Sequence, residues 1–77
     1  MGILLGRAFK NSKNQRDEKA VLFFARALAL LSRDEIHPMV VDAYLAKARS
    51  HDRLGQFENA KESRAAARLY KARIRGQ

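Results

Sequence analysis

The chain has 77 residues and no cysteine, so it is one domain whose single apolar core contributes only about 3–5 kcal/mol and has neither disulfides nor thiolate metal sites to reinforce it. Sixteen Lys and Arg against eight Asp and Glu give a net charge of +8, and a hydrophobic fraction of 47% excludes a disordered tail. That charge attracts phosphates, anionic membranes or acidic proteins, and the missing cysteines fit a reducing compartment, so a cytoplasmic setting is expected.

The first ten residues carry Leu4, Leu5, Ala8 and Phe9 at helical spacing, which predicts a short helix over Gly2 to Lys10, broken by Asn11-Ser12-Lys13-Asn14. The run Ile3-Leu4-Leu5 is too short for the core of a signal peptide, and Gly6 stands where a myristoylation pattern requires Ser or Thr. The stretch from Met1 to Arg16 is basic and free of acids, so it loosely resembles an organelle transit peptide.

From Ala20 to Leu31 every residue except Arg26 is apolar. Such a run reaches about 18 Å, well short of the roughly 30 Å apolar thickness of a bilayer, so it predicts a buried helix, from about Arg16 to Arg33. Being apolar all round, this helix is expected to be covered on more than one side. Arg33 to His37 then reads as a connection, and Pro38 fits the first turn of a next helix ending at Gly55. Val41, Tyr44, Leu45 and Ala48 are the expected apolar stripe of that helix, extended by His51 and Leu54. The last helix is predicted from Phe57 to Ile74. Glu58 in its first turn and Lys71, Arg73 and Arg75 at its end suit the helix dipole, and its core line is Ala60, Ser63, Ala67, Tyr70 and Ile74. The expected fold is therefore all-α: antiparallel helical hairpins, with three long helices and a short N-terminal one.

A shift of forty residues aligns Leu4-Leu5 with Tyr44-Leu45, Arg7-Ala8 with Lys47-Ala48, Glu18 with Glu58, Ala20 with Ala60, Ala25 with Ala65 and Ala27 with Ala67. Within the second copy, Tyr44 and Ala48 precede Gly55 and Phe57, and Ala60 and Ala67 follow. On these residues the stretch from Val41 to Ile74 resembles a tetratricopeptide repeat, a helix-turn-helix unit of about 34 residues. Ala8, Ala20, Phe24, Ala27 and Leu28 match in the first copy, where Phe24 is the aromatic that Arg64 does not supply in the second. The resemblance implies one domain over 1–77, built from units 1–34 and 41–74 joined by 33–37. Lys47, His51 and Ser32 depart from the family's apolar residue, tyrosine and closing proline. An unrelated three- or four-helix bundle is the alternative.

The resemblance also implies a protein-interaction adaptor with a groove lined by the first helix of each unit: Leu4, Leu5 and Arg7, then Tyr44, Leu45, Lys47 and Arg49. Some members of the family clamp a terminal carboxylate with Lys and Asn. Here Leu5, Phe9, Leu45 and Arg49 stand at those places, so no clamp is expected. Because repeat stacks need polar caps and a two-unit stack leaves both ends open, self-association is expected.

No catalytic, cofactor or metal motif occurs, and the two histidines, His37 and His51, read as a loop residue and a packing residue. The one outstanding constellation is Lys61, Arg64, Arg68, Lys71 and Arg75, spaced three, four, three and four along one helix face with no carboxylate on the stripe to relieve their repulsion. It reads either as a solvated face or as a contact for anions, in which Arg64 and Arg68 grip carboxylates or phosphates in bidentate fashion. The expected function is non-catalytic binding of a protein, acidic or a second copy of itself. Nucleic acid held by its phosphates through the stripe is the alternative, and a membrane surface ranks last because the helix offers mainly alanine opposite its cations.

Overall fold

Residues 2–31 and 37–76 are described by a computed structural model, in which four helices follow one another: α1 (Gly2–Lys13), α2 (Asp17–Ala29), α3 (Met39–Arg53) and α4 (Phe57–Arg75). No strand occurs among these residues. α1 packs on α2, α2 on α3, α3 on α4, and α1 also touches α3. The guanidinium of Arg53, at the end of α3, reaches both Ser12 near the end of α1 and Asp17 at the start of α2. Hence α3 runs parallel to α1 and antiparallel to α2. The backbone N–H of His37, just before α3, donates to the Tyr70 hydroxyl late in α4 at 2.8 Å, which sets α4 antiparallel to α3.

The two helical turns have one geometry, forty residues apart. Arg16 N–H donates to Asn11 O (2.8 Å) and Gln15 N–H to Ser12 O (3.1 Å); Gln56 N–H donates to His51 O (2.8 Å) and Gly55 N–H to Asp52 O (3.0 Å). These paired bonds satisfy the last carbonyls of α1 and α3 and form a Schellman motif. It requires a left-handed residue at its centre: Gly55 has φ +76°, whereas Gln15 takes φ +60° with a side chain in place. The next residues, Arg16 (φ −90°, ψ 68°) and Gln56 (φ −94°, ψ 68°), agree as closely.

α1 is longer than the expected helix. It runs through Asn11, Ser12 and Lys13, because the Asn11 side-chain amide donates to Arg7 O within the helix (2.8 Å) and the break falls at Asn14-Gln15. α2 is shorter: it starts at Asp17, ends at Ala29 and leaves Leu31 outside, while Arg33 and most of the 33–37 connection lie outside the described residues. Within the single chain two neighbours, α1 and α3, cover α2: Asp17, Ala20, Phe24 and Ala27 are buried, and Phe23 and Leu28 are half-buried against the core. Leu22 and Leu30 remain 47% and 62% exposed, so the expected cover on more than one side is not complete without a second chain.

The core of α3 also differs from the expected line. Val40, Ala43, Ala46 and Ser50 are buried with Ala48 and His51, while Val41 and Tyr44 are half-buried and Leu45 is exposed. α3 contacts all three other helices, so its buried arc is wide and is filled by small residues that permit close approach, with the bulky ones pushed to its flanks. α4 has one neighbour and keeps the expected line: Ala60, Ser63, Ala67 and Tyr70 are buried and Ile74 is half-buried. The main core joins Leu5, Ala8, Phe24 and Ala27 of the first hairpin to Ala43 and Ala46 of α3, and the rings of Phe9 and Phe24 meet edge to face at 5.1 Å.

Candidate partner-binding surface

Lys61, Arg64, Arg68, Lys71 and Arg75 are all exposed and run along one flank of α4. Phe57 stands in line with them and is 67% exposed, so the row is spaced four, three, four, three, four. Steps of four and three residues keep the whole row on one face of α4, so a second helix laid beside that face meets every member of it. The row is about 27 Å long. One cation is already partnered: Arg64 pairs with Asp52, which reaches over from α3, so relief that α4 itself does not supply comes from its neighbour.

Between α3 and α4 this row borders a shallow groove. Val41, Leu45 and Ala67 form its apolar floor, and Arg64, Arg68 and Lys71 form its rim. The forty-residue offset gives the groove a counterpart in the first hairpin, where Leu5, Phe24, Ala27 and Leu28 occupy the places of Leu45, Arg64, Ala67 and Arg68. That counterpart is filled. Ala43 and Ala46 of α3 complete the buried cluster on it. As a result Leu5 is 2% exposed and its equivalent Leu45 is 38% exposed. The two equivalent faces are therefore unlike: the first hairpin meets α3 with Phe and Leu, and the second meets solvent with Arg and Lys.

The residues expected to line one groove are divided by the fold. Leu45 and Arg49 line a cleft between α1 and α3 together with Phe9 and Met39. Tyr44 and Lys47 instead face the opposite side of α3, in a cleft walled by Val21 and Ala25 of α2 and Glu62 and Ala66 of α4. Leu5 is buried and unable to meet a partner, Leu4 is half-buried against the core, and Arg7 is exposed on α1. Leu45 lines both the α1–α3 cleft and the α3–α4 groove.

A polar clasp holds the ends of three helices below these surfaces. Arg53 Nε donates to the Asp17 carboxylate at 2.9 and 3.0 Å and Nη2 to Oδ1 at 2.6 Å, and Nη2 also reaches Ser12 O at 3.2 Å. The hydrogen bond from Arg53 holds the Asp17 carboxyl below its ordinary range; burial opposes the shift, and a hydrogen bond from Ser50 and the Arg53 charge add to it. Asp17 raises the pKa of Arg53 in turn, chiefly through the same hydrogen bond and against burial. Asp17 also stands at the positive end of the α2 dipole. The clasp was not anticipated, because its partners are 36 residues apart. An acid in the first turn of α2 was the only local signal.

His51 is buried, with Nδ1 2.8 Å from Gln56 Oε1, and His37 lies before α3. No group of three or more His, Asp or Glu able to hold a metal occurs among the described residues, and no helix among them is long and apolar enough to cross a membrane. No protein family, curated protein or solved structure matches this chain.

Proposed function

We propose that the chain is a non-catalytic binding module, a tetratricopeptide-like pair of hairpins that holds another protein. The observation that carries this reading is the apolar groove of α3 and α4, open to solvent and rimmed by cations, at the place where the first hairpin holds a helix. The repeated Schellman turn, forty residues apart, supports descent of both hairpins from one helix-turn-helix unit. The test is affinity capture by the tagged chain with and without nuclease, followed by reconstitution of the complex from purified components. A partner that survives nuclease and binds the purified chain supports the reading, and capture that nuclease abolishes overturns it.

Phe57 favours a second reading, nucleic-acid binding, because an exposed aromatic in line with five cations offers a stacking surface beside phosphate contacts. The tyrosine rings of α3 and α4 are less available: Tyr44 is half-buried and Tyr70 is buried. Titration with short duplex DNA and RNA at low and moderate salt decides the matter, since phosphate-driven binding falls steeply with salt and its absence at low salt removes this reading.

A further inference from the structure

We infer that the α3–α4 groove is a docking site for an acidic amphipathic helix of a partner protein, which lies along α4 and parallel to α3. The inference rests on the protein-binding reading above and names the partner's chemistry. Three observations converge on it. The equivalent groove of the first hairpin holds a helix, α3, whose inward residues Ala43, Ala46 and Ser50 are small and lie at helical spacing, so the shape formed by such a hairpin accepts a helix. The cationic row beside the groove of the second hairpin keeps to one exposed face of α4 over its length, so its heads meet a helix laid along α4. At the places of Phe24, Leu28 and Leu31 stand Arg64, Arg68 and Lys71, so the recognition chemistry has changed from apolar to cationic while Leu45 and Ala67 keep an apolar floor.

The occupant follows from these features. It carries small or apolar residues on one stripe for Val41, Leu45 and Ala67, and Asp or Glu beside that stripe for Arg68, Lys71 and the Arg64 that Asp52 now holds. By analogy with α3, which runs parallel to α1, the guest runs parallel to α3. A second copy of this chain fits poorly, because its net charge of +8 repels its like. Duplex nucleic acid satisfies the cations and leaves the apolar floor unmatched.

The test uses three labelled probes in fluorescence anisotropy at moderate salt: a helical peptide of about 18 residues, matched to the length of the row, with Glu flanking an Ala/Leu stripe; the same residues scrambled; and a short DNA duplex. The expected result is binding of the patterned peptide at least about tenfold tighter than the scrambled one, weakened about tenfold or more by Arg68→Glu with Lys71→Glu and left unchanged by Arg49→Glu, which alters the α1–α3 cleft. Amide NMR of the labelled chain then shows shifts at Val41, Leu45 and Ala67. Equal binding of the scrambled peptide, or a DNA affinity that matches or exceeds that of the patterned peptide, overturns the inference in favour of plain polyanion attraction. Shifts confined to Phe9, Met39 and Arg49 overturn it too, while leaving the protein-binding reading intact. The substituted residues are exposed, and circular dichroism of each variant verifies that its helices persist.

Discussion

Replacing Arg53 by Ala tests whether the clasp joins the two hairpins. In the folded chain the Asp17 carboxylate is 9% exposed and its two oxygens accept from Arg53 Nε and Nη2 at 2.6–3.0 Å. A hydrogen bond to a charged group contributes about 1.5–3 kcal/mol, but Arg53 itself is 38% exposed, so water replaces part of the interaction and the expected loss is about 1–2 kcal/mol. For a domain of this size that lowers Tm by about 5–15 °C. Urea denaturation followed by circular dichroism, with an unchanged slope, measures the loss, and a cycle with Asp17→Ala isolates the pair. The dependence on pH has a definite sign. The folded pKa of Asp17 lies below its unfolded value of about 3.9, so its contribution is complete above that value and disappears as pH falls through the folded pKa. The cost of Arg53→Ala therefore shrinks as pH is lowered from about 5 towards 2. A cost independent of pH over that range, or a coupling within about 0.3 kcal/mol of zero, refutes the clasp as a stabilising pair.

The left-handed turn residues make opposite predictions: Gln15→Gly removes a strained side chain and stabilises by about 0.5–1 kcal/mol, whereas Gly55→Ala adds one and destabilises by about 1 kcal/mol, both read by denaturation. Phe24→Ala leaves a cavity against Phe9 and costs about 3–5 kcal/mol, comparable with the whole stability of so small a domain, so the variant is expected to lose its cooperative thermal transition. Arg64→Phe, Arg68→Leu and Lys71→Leu together give the second hairpin the side chains of the first. Sedimentation velocity is expected to show concentration-dependent association of that variant beyond the parent, and identical profiles would remove the equivalence of the two grooves.

The parts of this fold that could be read from the chain are those where one neighbour decides burial. Among the described residues α4 packs chiefly on α3, so its apolar line has a plain helical period and its core residues, ends and cationic flank were all legible. α3 touches three helices, which widens its buried arc until Ala43, Ala46 and Ser50 replace Tyr44 and Leu45 inside, and no single-stripe reading anticipates that. α2 misled in the other direction, since an apolar composition around the whole helix does not require cover on every side. The cations were legible as a row. Their place was not, because only the packing of α3 on α4 makes Arg64, Arg68 and Lys71 the rim of a groove and brings Asp52 to one of them.

The two hairpins share a turn geometry and differ in what they require beside them. Phe24 in the first has no favourable state outside a closed core, so α3 must sit on it for that hairpin to persist. Arg64, Arg68 and Lys71 in the second are stable in water: all three are exposed, and the Arg64 head pairs with Asp52. A helix face that meets solvent needs polar cover, and cations supply it as well as any polar residue. Uncompensated cations three and four residues apart also repel one another, so a face built from them gains when carboxylates arrive in register. The same substitutions thus let the domain stand with that face open and give the face a preference of sign and spacing for what it binds.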